Sequence, residues 1–270
     1  MAAPPARATR LSDAARRLLG ARQLGQLVRT EPVLALVREL GAGTLLDVGS
    51  GALGLADYLD GRWRVTALDR SFADYGAWRR PPGTRADRVV GDIRALPFAD
   101  RSFDVVVAVD VLEHLDPADR AAAVRELGRV ARRRVIVAAP AGAAALEADR
   151  ALAAALRMPP PWLEEHLANG FPEPEDLAGP LRALGAVRLL GNEAVAAHAR
   201  VTRLELSVRW FVPTRALARL LYAGLRREAR WPARVLRRVG GAGREPAYRA
   251  IAVCDIAAST SASSSAASAS

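Results

Sequence analysis

The 270-residue sequence has no lysine, only one cysteine and no long apolar run. Because Cys254 is the only cysteine, the chain cannot form an internal disulfide or a zinc site built from cysteines. No uninterrupted apolar stretch reaches the ~18 residues that a membrane span requires. The first residues also lack the continuous apolar core of a signal peptide. We therefore expect a cytoplasmic protein.

The absence of lysine leaves arginine to supply the basic charge of a chain whose formal net charge is +10. Alanine is abundant as well, and the two features together indicate a genome-wide codon bias rather than a functional choice. Twelve arginines lie within residues 201–250 against only three acids, so this segment carries nearly all of the excess positive charge. The rest of the chain is close to neutral, and we expect no nucleic-acid partner.

The remaining composition is that of a soluble globular protein, with 51% hydrophobic and 25% charged residues. A chain of this length can bury a sizeable core in one large domain. We predict a single domain over residues 11–257. It lies between a Pro/Ala/Arg arm at 1–10 and a Ser/Ala tail at 258–270, both of which are predicted to be disordered.

Strand-like and helix-like segments alternate from residue 43 onward, which predicts βαβ units and a parallel, doubly wound sheet. Before them, residues 11–40 have helical spacing, and the Glu31-Pro32 step predicts that a new helix begins there. Strands are predicted at 43–48, 64–69, 87–91, 104–110, 133–139, 187–190 and 248–255. Helices are predicted at 53–60, 72–79, 117–131, from Pro140 to about 157, at 173–184, and over most of the basic span 192–240.

The end of the first predicted strand carries the pattern typical of a cofactor turn. An apolar run ends at Asp47, and Gly49, Gly51 and Gly54 then fit the G-x-G-x-x-G fingerprint of dinucleotide-binding loops. Asp69 ends the second strand, where an acid can bind ribose hydroxyls. These features taken together permit an NAD(P)-dependent oxidoreductase, and Arg70 is placed to meet the 2′-phosphate of NADP.

Three further features favour a different cofactor. Asp47 occupies a position that is usually apolar in the NAD fingerprint, and Asp92 follows the third strand. The segment from Phe103 to Leu115 then leads through a fourth strand into a Glu-His pair. Acids at the carboxyl ends of three successive strands suit a ligand with an amine at one end, a ribose in the middle and adenine at the other.

In the order and spacing of these motifs, the stretch from about Thr44 to Pro140 resembles the class I S-adenosylmethionine-dependent methyltransferases, in particular the small-molecule group. The resemblance implies a Rossmann-like sheet of seven strands, mostly parallel with the last strand antiparallel. It also implies N-terminal helices and a helical insertion before the last strand. The cofactor would be S-adenosylmethionine, bound by a core at about 43–140, with an acceptor or lid region at about 141–245.

The resemblance also assigns roles around the first turn. Gly49, Ser50 and Gly51 would lie against the methionine part of the cofactor, with Asp47 near its amino group. Many family members have a third glycine two residues after the second, whereas this chain has Gly54 three residues after Gly51.

At the other end of the cofactor, the resemblance implies that Asp69 holds the ribose hydroxyls, with Arg70 beside it. Asp92 would accept a hydrogen bond from the adenine amino group, and Ile93 would lie against the ring.

The transferred methyl group would lie near Val109 and Asp110 at the tip of the fourth strand. A hydroxyl or acidic-carbon acceptor would require a general base. Two histidines are candidates for this catalytic role. His114 follows the fourth strand, and His166 stands beside Trp162 in a region that often contributes acceptor contacts in the resembled family. The spacing of the candidate residues predicts no metal site.

Two interpretations remain open beside transfer to a small organic acceptor. The basic, partly aromatic segment 206–238 can contact an anionic membrane surface weakly, which would suit a membrane-linked lipid or glycan acceptor, or it can bind RNA. The other interpretation is a binding or regulatory protein with a degenerate pocket, although the intact acids argue against it. The oligomeric state is not predicted.

Overall fold

The computed structural model describes residues 23–51, 54–72, 86–207, 209 and 211–257. The predicted arm at 1–10, the predicted tail at 258–270 and most of the predicted helix at 72–79 lie outside the described residues.

Seven strands form one sheet in the order β3-β2-β1-β4-β5-β7-β6. Strands β1 to β5 pair in parallel, whereas β7 runs antiparallel to both of its neighbours, β5 and β6. This arrangement confirms the predicted sheet, including its antiparallel last strand. The strands are β1 Gly43–Val48, β2 Trp63–Asp69, β3 Ala86–Val90, β4 Phe103–Val109, β5 Ala131–Pro140, β6 Gly185–Ala194 and β7 Ala247–Ile256.

Helices cover both faces of this sheet, which explains why the central strands are apolar without alternation. Helices α2 and α5 contribute to the core on one face, and α1, α7 and α8 contribute to the core on the other. The helices are α1 Leu24–Arg38, α2 Pro117–Val130, α3 Ala143–Ala155, α4 Pro161–Asn169, α5 Pro174–Ala178, α6 Val195–Leu206, α7 Phe211–Arg226 and α8 Arg230–Val239. Three short 3₁₀ helices lie at Leu55–Tyr58, Leu112–His114 and Gly179–Leu181.

The predicted helix restart at Glu31-Pro32 is wrong, because α1 runs through Pro32 without interruption. Proline has no N–H, so the carbonyl of Val28 loses its normal partner one turn later. The side-chain amide of Asn192 donates to that carbonyl at 3.4 Å. A contact from a distant strand therefore compensates for the proline, and the sequence pattern could not reveal it.

Two other predicted helices are shorter than expected. The segment predicted at 53–60 forms only the 3₁₀ turn Leu55–Tyr58 within its described part. The segment predicted at 173–184 is helical only to Ala178 and then continues as a 3₁₀ turn. Pro180 cannot donate the next helical hydrogen bond, which favours the end of α5 there. In the part of the chain that the structure describes, no helix has the length and apolar character needed to cross a membrane.

Candidate active site

The turn after β1 is held tightly against the neighbouring strand. Both Gly49 and Ser50 donate their N–H groups to the carbonyl of Leu68, at 2.8 and 3.2 Å. Gly49 has a φ of +68°, and a Cβ at this position would overlap Cγ2 of Val111. Glycine is therefore required here both for its backbone conformation and for space.

Asp47 lies beneath this turn rather than on its surface. Its side chain is buried, and Oδ2 accepts a hydrogen bond from the N–H of Leu55 at 2.6 Å. A Cβ at Gly54 would come too close to the same carboxylate oxygen. Burial raises the pKa of Asp47 to about 7, although the bond from Leu55 opposes the rise. In this structure Asp47 stabilises the chain that follows the turn.

Asp69, at the end of β2, joins its strand to the turn. Its Oδ2 accepts from the N–H of Gly51 at 2.9 Å, and its Oδ1 accepts from the N–H of Ser71 at 3.3 Å.

Asp92 instead has an ionic partner close to it in sequence. The guanidinium of Arg94 donates to both carboxylate oxygens at 2.7 and 3.0 Å, and these hydrogen bonds lower the pKa of Asp92.

A cavity of about 250 Å³ opens at the carboxyl ends of β1 to β4. Its walls are partly apolar, from Leu68 and the buried Ile93, and partly acidic, from Asp69 and Asp110. The predicted cofactor residues that line it are Gly49, Asp69, Arg70, Ile93 and Asp110.

A second cavity of about 430 Å³ adjoins the first, and Gly49, Asp110 and His114 line both. It lies under α1, α4 and α6, and both candidate histidines line it. The predicted residues Ser50, Gly51 and Val109 also line this larger cavity, whereas Asp47 and Asp92 line neither of the two.

Arg120 fixes the positions of the two candidate histidines relative to each other. Its side chain is buried and donates to the carbonyl of Leu112, at the start of the 3₁₀ turn that carries His114. The same guanidinium donates to the carbonyls of Asn169 and Gly170, at the end of α4. This link brings the His114 and His166 rings to a centroid distance of 5.5 Å.

Each of these histidines has a carboxylate on its Nδ1. His166 Nδ1 lies 2.9 Å from Oδ2 of the fully buried Asp149, and His114 Nδ1 lies 2.9 Å from an oxygen of Glu165. The hydroxyl of Tyr248 also donates to Asp149, at 3.1 Å. A carboxylate on one ring nitrogen orients the imidazole and leaves Nε2 available for chemistry.

A chain of buried ion pairs forms another wall of the larger cavity. Arg249 binds both oxygens of Asp110, at 2.8 and 3.0 Å, and an oxygen of Glu193 at 2.9 Å. Arg29 adds a contact of 2.6 Å to Asp110. Burial opposes ionisation of Asp110, but the charges of Arg249 and Arg29 prevail and lower its pKa well below the usual range.

Several residues of this cavity are not evident from sequence reasoning. Asp149 lies in an alanine-rich helix, where a charged residue is normally taken as solvent-exposed. Arg29, Glu193 and Arg249 come from elements far apart in the chain. The backbone conformation, rather than the sequence, marks two of the cavity residues as candidates. Asp110 and Glu193 have φ values of +54° and +62°, which non-glycine residues at functional sites often show.

The basic segment forms α6, α7 and α8. Large apolar side chains are exposed there among the arginines, so weak membrane contact through 206–238 stays a prediction. These exposed side chains are Leu206, Val212, Leu217, Leu220 and Trp231.

Comparison with known proteins finds a family model that matches part of the chain and solved structures with a similar fold. Residues 46–139, about a third of the chain, match the family model described as a methyltransferase domain. Among solved structures the chain is similar to phosphoethanolamine N-methyltransferase 2 of Haemonchus contortus in complex with phosphomonomethylethanolamine and S-adenosylhomocysteine. This match has 14% identity and a TM-score of 0.50, and it covers 83% of this chain and 52% of that one.

Two other solved structures are similar to parts of the chain. Magnesium protoporphyrin IX methyltransferase from Synechocystis PCC 6803, with bound S-adenosylhomocysteine, has 18% identity and a TM-score of 0.46, covering 66% of this chain and 86% of that one. The PH0226 protein from Pyrococcus horikoshii OT3 has 24% identity and a TM-score of 0.38, covering 43% of this chain and 54% of that one. The chain thus spans about half the length of two of these three proteins.

Proposed function

We propose that the chain is a class I S-adenosylmethionine-dependent methyltransferase that methylates a small organic acceptor, which the match of residues 46–139 to a methyltransferase-domain model supports. The observation that carries this proposal is the pair of adjoining cavities that share Gly49, Asp110 and His114. Cofactor in the smaller cavity and acceptor in the larger would meet at this shared wall, and such proximity supplies several kcal/mol of catalysis. The bound cofactor supplies a methyl group that is already activated by a positively charged sulfur.

The residues of the smaller cavity fit an adenosine group. Leu68 and Ile93 provide apolar surface for a ring, and Asp69 provides a carboxylate for ribose hydroxyls. Gly49 and Gly51 place backbone without side chains at the edge of the cavities, where a ligand can approach the turn closely. We propose that this turn holds the methionine end, with Asp47 near the amino group, and that Asp92 and Ile93 hold the adenine.

The larger cavity has the features of an acceptor site. His114 and His166 line it, and the carboxylates on their Nδ1 atoms fix the ring orientations. We propose that these two histidines act on the acceptor atom that receives the methyl group. A cavity of about 430 Å³ has the size of a typical small-molecule site, which favours a small molecule over a macromolecule.

Calorimetric titration with S-adenosylhomocysteine, S-adenosylmethionine and NADPH tests the cofactor directly. We expect the two S-adenosyl ligands to bind and NADPH not to bind. Binding of NADPH alone would favour the oxidoreductase alternative, and the proposed function would then fail. Labelled S-adenosylmethionine incubated with a panel of small alcohols, phenols and amines then identifies the acceptor class.

We expect Asp69→Ala to weaken S-adenosylhomocysteine binding by at least about 100-fold. The substitution removes a carboxylate that can bind two hydroxyls, and each lost charged hydrogen bond costs roughly 1.5–3 kcal/mol. Asp87→Ala, at an exposed position on β3, is the matched control and should bind normally. Equal affinities of the two variants, measured by calorimetry, would contradict the role assigned to Asp69.

Cofactor binding should release protons if Asp47 serves the cofactor amino group. With a pKa of about 7, Asp47 is mostly protonated at about pH 6, and a nearby ammonium group would ionise it. Affinity should therefore increase with pH up to about 7 and then level off. Titrations at about pH 6 in buffers of different ionisation enthalpy measure this release.

Asp47→Asn is the control for this prediction, because asparagine cannot ionise. The variant should show the same binding heat in every buffer. If wild-type heats are equally independent of the buffer, Asp47 only supports the loop through Leu55.

A further inference from the structure

Three potential metal ligands converge between the two cavities. One oxygen of Glu113 and one nitrogen each of His114 and His166 lie within 4.8 Å of one another. Glu113 and His114 belong to the 3₁₀ turn after β4, and His166 belongs to α4. Two histidines and one carboxylate are a ligand set that divalent transition metals use, with further positions left open for substrate.

Both histidines already have the outer partners that metal-bound histidines require. A ligating imidazole usually donates its other N–H to a carboxylate, which fixes the tautomer and orients the ring. Asp149 is the carboxylate partner of His166, and Glu165 is the carboxylate partner of His114. In each pair a carboxylate oxygen lies 2.9 Å from Nδ1. Nε2 is therefore the nitrogen that each ring has available for an ion.

Glu113 supplies the second, independent observation. Its side chain is completely buried, yet neither carboxylate oxygen has a hydrogen-bond partner in another residue of the described ranges. A buried carboxylate without a partner is costly, and a bound cation would compensate for it.

We propose that Glu113, His114 and His166 bind a divalent transition-metal ion whose open position faces the larger cavity and takes an oxygen of the acceptor. This inference rests on the proposed function and narrows the acceptor to a small alcohol or phenol. The most distant ligand atoms must draw closer by up to about 1.3–1.8 Å, since ligands at about 2.1 Å from an ion are about 3.0–3.5 Å apart.

The ion would activate the acceptor by making its hydroxyl more acidic. The hydroxyl proton passes to water in the cavity, and the oxygen then attacks the methyl carbon. A C–O bond forms as the C–S bond breaks, and the sulfur keeps the electron pair and becomes a neutral thioether. No oxidant or reductant is required.

The test is Zn²⁺ binding to metal-stripped, untagged protein, measured by calorimetry, with Co²⁺ absorption as a second readout. Glu113→Gln keeps the side-chain shape and removes the charge, so it should retain the fold and lose most of the Zn²⁺ affinity. Asp149→Asn and Glu165→Gln should each weaken binding by roughly 10–100-fold, as is typical for outer partners. Mg²⁺ should bind poorly, because it prefers oxygen ligands.

Gln26→Ala is the matched control, because Gln26 lines the same cavity from α1 and belongs neither to the proposed ligand set nor to its outer partners. It should bind Zn²⁺ normally. Absence of Zn²⁺ binding to the wild type, or equal affinity of wild type and Glu113→Gln, overturns the proposal. Binding of S-adenosylhomocysteine to the metal-stripped protein is measured in parallel, so failure of the metal site and failure of the proposed function are distinguished.

Discussion

Replacing Arg249 with methionine is expected to lower the free energy of unfolding by about 3–5 kcal/mol. Arg249 is almost completely buried and binds Glu193, which is buried as well, and Asp110, whose side chain is 12% exposed. Methionine fills a similar volume but leaves both carboxylates without their main cation. Glu193, whose side chain is only 2% exposed, can regain little hydration, so most of the cost is that of uncompensated buried charge. Urea or thermal unfolding measures the effect.

Arg134→Met is the matched control for this loss. Arg134 is also buried and also binds two acids, Glu39 and Asp255, but the side chains of those acids are 51% and 42% exposed. They regain hydration when the arginine is removed, and we expect a loss of only about 1–2 kcal/mol. Similar losses for the two variants would mean that burial of the acids does not determine the cost.

The Arg249→Met effect should also depend on pH. The folded-state pKa of Asp110 lies below the unfolded value, so its pairing stabilises the protein above the unfolded pKa of about 4 and less at lower pH. The difference between wild type and variant should therefore be largest at and near neutral pH and become smaller as the pH is lowered below about 4. A difference independent of pH would indicate lost packing instead of lost charge pairing.

Gly49→Ala is expected to weaken S-adenosylhomocysteine binding by at least about 30-fold. An alanine at a φ of +68° costs about 1–2 kcal/mol. Its Cβ would also overlap the side chain of Val111, which lines the smaller cavity. Relief of this overlap must move either the turn or Val111, and both belong to the walls of the proposed cofactor site. Calorimetry measures the change in affinity.

Gly41→Ala separates backbone strain from steric overlap. Gly41 has a φ of +79°, but a Cβ there would meet no atom within 4 Å. This variant should lose a similar amount of stability from its backbone, about 1–2 kcal/mol, and bind S-adenosylhomocysteine normally. The double variant Gly49→Ala/Val111→Ala should regain part of the lost affinity. Normal binding by Gly49→Ala alone would contradict the proposed position of the methionine end.

The local sequence pattern was sufficient to predict the parallel strands of the sheet, because each signal for them is contained within a few residues. The unbroken apolar run Val105–Val109 indicates a strand covered on both faces, and the alternation with helices indicates parallel pairing. The glycine turn after Asp47 indicates the edge of the sheet at which a ligand binds. Helix ends were less predictable, since the continuation through Pro32 depends on Asn192, a residue 160 positions away in the chain.

The assembly of the larger cavity depends on contacts between residues that are far apart in the chain. Asp149 and His166 meet only because α3 and α4 pack together, and Asp110 meets Arg249 only because β7 inserts beside β5. Sequence spacing contains no information about such contacts. The motifs of residues 44–140 therefore predict the cofactor class. The ion pairs, the oriented histidines and Glu113, which has no partner among the described residues, follow from the tertiary structure, which decides which charged groups are buried and which partners they meet.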